Sequence, residues 1–193
     1  FDYIVSPANG FGLMDGGFDG ALTRRYGTQL QQRVQAQIAR DFAGEQPVGT
    51  AFVTNIMEEN VVGHPQTPSS GPWLVHAPTM RVPADIRGTA NVYAAMKAIL
   101  LAVRDHPRFV TGKRLATPGL GTLTGRMTAE SAAEQMRYAW NHIVNTPTHA
   151  NQLTWQWATG RDSVLQYLAK GSEPVDSPGR QYSPAEKLVG FLS

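Results

Sequence analysis

Apolar positions along the chain fall into two rhythms that alternate from one end to the other. Tyr3-Ile4-Val5 is a short apolar run read as a strand, and it is followed by a long loop rich in glycine. Leu30, Val34, Ile38 and Phe42 recur every four residues, which predicts an amphipathic helix over residues 28–43. Thr28 and Gln31 stand at capping-box spacing at its start, and Gly44 is a plausible C-cap. Residues 47–54 are rich in β-branched side chains and predict a strand, residues 58–72 a long Gly/Pro/Ser loop. Trp73-Leu74-Val75-His76-Ala77 predicts a buried strand, and the prolines of 78–83 an extended loop. Val92, Ala95, Met96, Ile99 and Val103 form one stripe of a helix over 85–106. Arg114-Leu115-Ala116-Thr117 predicts a strand, and a second glycine-rich loop follows at 119–125. Ala129, Ala132, Ala133, Met136, Ala139, Trp140 and Ile143 make the apolar face of the next helix, with Met136 and Trp140 in its core and Ser131 and Glu134 at capping-box spacing. Residues 151–170 predict a last helix that Thr159-Gly160 could interrupt. The Gly/Pro/Ser composition after 171 predicts a tail.

Strands alternating with helices indicate an α/β fold with a mixed, largely parallel sheet, here expected as three α/β/α layers. In such sheets ligands gather at the carboxyl ends of the strands. Both glycine-rich loops leave a predicted strand and enter a predicted helix, so they should meet at that edge. The first loop carries Gly10, Gly12, Gly16 and Gly17 with Asn9, Asp15 and Asp19 among them. Bare backbone N–H groups at a helix N-terminus bind anions well. From the residues alone, a phosphate cradle and a long connection with turn-forming glycines both remain open for this loop. The second loop on the same edge favours a phosphate-containing ligand.

Composition narrows the classes further. At 193 residues the chain is about one domain, expected to divide as a body over 1–170 and a tail or docking segment over 171–193. There is no cysteine, which removes disulfides, thiolate nucleophiles and thiolate-ligated zinc and suits a reducing, cytoplasmic (or, in a eukaryote, nuclear) setting. No apolar run reaches the roughly 18–20 residues of a membrane span, so no membrane partner is expected. A net charge of +2 with both signs interspersed lacks the basic patch of a general nucleic-acid binder, leaving nucleic acid only as a modified substrate. His64, His106, His142 and His149 show no i,i+4 pair, so neither a metal nor a cofactor is expected. Neither a Gly-x-Ser-x-Gly elbow nor a Walker-type lysine occurs. His76, on a buried strand, reads as a core histidine, Asp15 as a turn residue, and Arg24 and Arg25 as a solvated face.

Set in order, these pieces resemble the macro domain family of ADP-ribose-binding modules and ADP-ribosyl hydrolases. Ile4-Val5-Ser6-Pro7-Ala8-Asn9 resembles the family's "VNAAN" strand and motif, and Gly16-Gly17-Phe18-Asp19-Gly20-Ala21 its "GGVDGAI" motif. Leu74-Val75-His76-Ala77 is similar to "IIHAVGP", and residues 118–125, PGLGTLTG, to the second phosphate loop "PAISTGIYG". The resemblance runs from residue 1 to about 145. Three departures stand out: Ser6-Pro7 in place of Asn-Ala, Thr124 to Met127 where an aromatic often covers the distal ribose, and a chain that opens at what resembles the third strand. The family's earlier strands and their adenine-binding "GDI" aspartate are expected either to precede this segment or to be replaced. For residues 151–170, with Trp155, Trp157 and Tyr167, completing the sheet edge and covering the adenine are two open roles.

The resemblance implies that Asn9 binds and orients the distal ribose and that Asp19, ten residues on, positions or activates water; these are the expected catalytic pair. It implies ligand contacts from Ala8, Gly16, Gly17 and Phe18 in the first loop, and from Gly119, Leu120, Gly121, Thr122, Leu123, Thr124, Gly125 and Arg126 in the second. The expected activity is hydrolysis of the distal-ribose linkage, removing ADP-ribose from a modified macromolecule without a metal. The rivals are a non-catalytic ADP-ribose reader, a phosphatase acting on ADP-ribose 1″-phosphate, and an interaction protein that keeps the fold without the pocket.

Overall fold

The computed structural model describes residues 1–56, 72–146 and 149–172. Four strands form one sheet: β1 (Tyr3–Ser6), β2 (Phe52–Asn55), β3 (Trp73–His76) and β4 (Leu115–Ala116). Their order is β2-β3-β1-β4. β1 runs parallel to both β3 and β4, and β2 is antiparallel to β3, so the sheet is mixed and largely parallel as expected. The predicted strand at 47–54 starts late, at Phe52, because Thr50 turns back to bond the Pro47 carbonyl through both its N–H and its hydroxyl. The predicted loop at 58–72 and the tail after 172 lie outside the described residues, apart from Pro72.

Side chains on neighbouring strand positions point to opposite faces, and here each face has its own core. Tyr3, Val5 and Val75 pack with Val92, Met96 and Ile99 of α3 (Asn91–Arg104) and with Ala132 and Ala139 of α4 (Ala129–Val144). Ile4 and Leu74 pack on the other face with Leu22 of α1 (Gly17–Tyr26) and with Leu30, Val34 and Ile38 of α2 (Gln29–Phe42). Each fully buried Leu, Ile or Val contributes about 1.5–3 kcal/mol through removal from water, so the two apolar stripes fix the three α/β/α layers. α5 (Trp155–Gly171) runs unbroken through Thr159 and Gly160 and packs on α4. A 3₁₀ turn, Ala150–Gln152, precedes it.

The structure corrects several local expectations. Thr28 stands at the N-cap of α2, but its side chain makes no cap bond, and Gln31 instead accepts the N–H of Met14 in the first glycine loop. Thr128, rather than Ser131, caps α4, accepting the N–H of Ser131 on its hydroxyl. α3 begins at Asn91 instead of 85, because Ile86 donates its N–H to the Gly125 carbonyl and Thr89 bonds back to Ile86.

Trp140 is not core: it is 55% exposed. Gln135 and His142 hold the inner stripe of α4 instead, and a hydropathy pattern has no way to place them there. The Gln135 carbonyl oxygen accepts the N–H of Tyr93 in the first turn of α3, and its amide donates to the Thr89 carbonyl. His142 shares a 2.5 Å hydrogen bond with the Tyr93 hydroxyl. Removing one side of a buried hydrogen bond costs about 1–3 kcal/mol, whereas exposed substitutions usually stay within about 0.5 kcal/mol. Gln135→Ala is therefore expected to lower the unfolding free energy in urea by at least the first amount, and Trp140→Ala by no more than the second.

Candidate functional site

The carboxyl ends of β1, β3 and β4 open onto one cleft of about 210 Å³. Its first wall is the segment from Pro7 to Asp19, its second is the loop from Pro118 to Gly125, and Thr79, Met80 and Pro83 after β3 form a third. The two glycine loops thus meet at one sheet edge. A Cβ placed on Gly17 would sit 4.0 Å from the Leu123 side chain across the gap, and Leu123 is 71% exposed.

The first loop is anchored residue by residue. The Asn9 side-chain oxygen accepts the N–H groups of Phe11 and Leu13 at 3.0 and 3.3 Å, and its amide donates to the Leu13 carbonyl at 2.8 Å. An asparagine closing its own turn in this way is ordinary loop chemistry. Among the described residues one of the two amide hydrogens has no acceptor, on a residue that lines the cleft. Met14 is fully buried, its N–H held by Gln31 and its carbonyl by the Thr23 hydroxyl. Gly17 adopts φ +54°, a left-handed turn that favours glycine, and α1 starts there. The N–H groups of Gly17, Phe18 and Asp19 have no acceptor earlier in the helix, so the positive end of the α1 dipole lies at the cleft wall.

The second loop is shaped by packing beneath it. Gly121 takes φ +71°, and a Cβ there would come within 2.7 Å of Ile86 Cδ1. The Gly121 carbonyl accepts the N–H of Met127, and the Thr122 hydroxyl donates to the Gly119 carbonyl.

Asp19, in the first turn of α1, is 7% exposed and lines the cleft. Burial pushes its carboxyl up to about 6, a rise that a hydrogen bond from the Ser6 hydroxyl to Oδ1, 2.7 Å long, partly opposes. A carboxylate poised near neutrality in a concave, anion-friendly site suits proton transfer.

Of the residues expected to bind ligand, Ala8, Gly16, Gly17, Phe18, Gly119, Gly121, Thr122, Leu123, Thr124 and Gly125 line the cleft with Asn9 and Asp19. Leu120 is fully buried in the core beneath the loop. Arg126, at φ +57°, is exposed beside the Asp85 carboxylate, whose pKa its charge helps lower, and lies outside the cleft lining. Ser6, Thr79, Met80 and Pro83 belong to the site without being expected from the sequence. The signal for Ser6 was its departure from the motif, while the other three follow a strand whose register only the fold supplies. No residue of α5 lines the cleft or joins the described sheet, and Trp155 is 86% exposed. His76 is a core residue: its Nδ1 bonds Gln46 at 2.7 Å, and burial pushes its pKa down to about 3.

A family model of the macro domain matches residues 5–136. The chain belongs to the macro domain family. An uncharacterized protein of Aquifex aeolicus is 32% identical over 135 residues, which is 70% of this chain and 70% of that one. Among solved structures, the macrodomain of Mycobacterium tuberculosis DarG superposes with a TM-score of 0.53 at 21% identity, over 74% of this chain and 82% of the other. A variant of the Oceanobacillus iheyensis macrodomain with ADPR (ADP-ribose) gives 0.55 at 19% identity, over 72% of this chain and 68% of its own. At these identities the likeness is one of fold, and this macro domain shares the sheet-and-helix frame on which the cleft is built.

Proposed function

We propose that this macro domain binds ADP-ribose in the cleft and hydrolyses the bond at the anomeric carbon of the distal ribose, freeing ADP-ribose from a modified macromolecule. The observation that carries the reading is Asp19: a carboxylate buried at the wall of a cleft, beside a helix N-terminus, between two glycine-lined loops. Family membership supports the choice of ligand, as does ADP-ribose in the Oceanobacillus macrodomain of the same fold. A diphosphate fits the N–H groups that open α1 and the backbone of the second loop, neither of which needs Lys or Arg to hold an anion. The unused amide hydrogen of Asn9 suits a ribose hydroxyl. Water then adds to the anomeric carbon as the bond to the acceptor breaks. Asp19 takes the water's proton, and the acceptor leaves with a proton from solvent.

A thermal-shift titration with ADP-ribose tests the binding half. Ligand at about 100 times its Kd stabilises the fold by roughly 2.7 kcal/mol, so a clear rise in Tm is expected. No shift up to millimolar ADP-ribose overturns the reading. The catalytic half is tested by following free ADP-ribose released from mono-ADP-ribosylated protein and mono-ADP-ribosylated DNA. Binding without release from either would make the protein a reader.

A further inference from the structure

Asp19 owes its orientation to a residue outside its own helix. Among the described residues Ser6 is the one side chain that hydrogen-bonds it. Ser6 is the last residue of β1 and is completely buried. Its backbone is fixed by pairing with His76 and by the N–H of Ala77 donating to its carbonyl at 3.1 Å. Strand alternation turns its hydroxyl to the same face as Ile4, the face that packs against α1. Hydroxyl donors to carboxylates close to about 2.5–2.7 Å, and the contact here is 2.7 Å.

We infer that Ser6 is a positioning residue for Asp19: its hydroxyl, held by the sheet, fixes Oδ1 and leaves Oδ2 as the oxygen available to a water in the cleft. This rests on the hydrolytic reading given above. β1 is hydrogen-bonded to strands on both sides, and a reacting group gains from being braced on such an element. Asp19 itself stands in the first turn of a helix entered from a glycine loop, where its carboxyl would otherwise rotate about two torsions. The same bond favours the ionised carboxyl that accepts a proton from water, against the opposing effect of burial.

Other charges near the pair do not supply this role. Asp15 is the other ionisable side chain lining the cleft. Arg81, beside the third wall, is paired with Glu45, and Arg24 stands in the last turn of α1. On α2, Arg33 donates to the Ile56 carbonyl.

The test uses Ser6→Ala and Ser6→Thr with two readouts: the Asp19 carboxyl titration by carbon-13 NMR, and the pH profile of ADP-ribose release. In Ser6→Ala the titration is expected to rise by about one pH unit, a tenfold change in ionised fraction on the acid side. The acid limb of the rate profile should move with it. kcat on the plateau is expected to fall about tenfold while KM changes less than about threefold, because a misoriented base slows the chemical step and leaves ground-state binding nearly unchanged. Ser6→Thr, which keeps the hydroxyl, should restore both. An unmoved Asp19 titration in Ser6→Ala, or no rescue by Ser6→Thr, overturns the inference. If the wild-type protein releases no ADP-ribose, the hydrolytic reading fails by itself, and the NMR titration still decides whether Ser6 holds Asp19. Should Ser6→Ala not fold, Ser6→Cys keeps the volume with a weaker donor, and an intermediate titration is expected.

Discussion

On the hydrolytic reading proposed above, Asp19→Asn is expected to slow ADP-ribose release by about 10²–10⁴-fold, the usual worth of a general base, while ADP-ribose still binds. The amide matches the carboxylate in shape and can still accept the Ser6 hydroxyl, so the cleft keeps its form and only the base is lost. The wild-type rate should rise with pH through about 6, where Asp19 ionises, and then level off. Stability should run the other way. A carboxyl whose folded pKa lies above its ordinary value of 3.8 stabilises the fold fully below about pH 4, and that contribution is lost as pH climbs through about 6. The displacement corresponds to about 3 kcal/mol at 1.36 kcal/mol per pH unit. The buried neutral imidazole of His76 works against this, its stabilisation being lost as pH falls, so the Asp19 contribution is read as a difference: in urea unfolding across pH 4–8, the stability of wild type relative to Asp19→Asn should decline as pH rises. On that reading activity and stability draw on the same buried carboxyl with opposite signs, a common trade at functional sites. Unchanged turnover in Asp19→Asn would assign the chemistry elsewhere.

Gly125→Ala should be the most damaging single methyl in the second loop. Its Cβ would lie 2.6 Å from the Gly121 carbonyl oxygen and 2.8 Å from Ile86 Cγ1, and the first of these is backbone with little freedom to move aside. That carbonyl also holds the N–H of Met127, and Gly125's own carbonyl holds Ile86. Overpacking of this kind costs about 1–3 kcal/mol, felt as a lower urea midpoint. The loop must shift to relieve it, and the cleft wall shifts too, so ADP-ribose affinity is expected to fall about tenfold or more, equivalent to 1.4 kcal/mol. Calorimetric titration checks this directly. Gly160→Ala, in α5 and outside the cleft lining, makes a good control, because a Cβ there meets nothing within 4 Å and the position has no left-handed φ. Equal losses from both variants would mean that the tightness beneath Gly125 is not what shapes the wall.

The amino-acid order by itself determined the alternation of strands and helices, the stripes Leu30-Val34-Ile38 and Val92-Met96-Ile99, and the two glycine loops at the ends of β1 and β4. These are local signals, periodic or tied to a single residue type, and they survived folding because nothing distant opposed them. The Asn9–Asp19 interval was legible for the same reason, as both lie on one continuous segment. Polar groups whose partners are far along the chain behaved differently. Gln31 serves Met14 and not a cap, Gln135 holds the start of α3 while Trp140 faces solvent, and Ile86 braces the second loop instead of beginning a helix. Each buried N–H or carbonyl must be satisfied by whatever the tertiary fold brings near, and no pattern in the chain states which residue that will be. The third wall at Thr79 and Met80 came from the parallel register of β3 beside β1. The bond from Ser6 to Asp19, across thirteen residues and from sheet to helix, came from closing the α1 layer on β1. The nature of the site was written in short stretches, and its ionisation and geometry were decided only when those stretches were packed together.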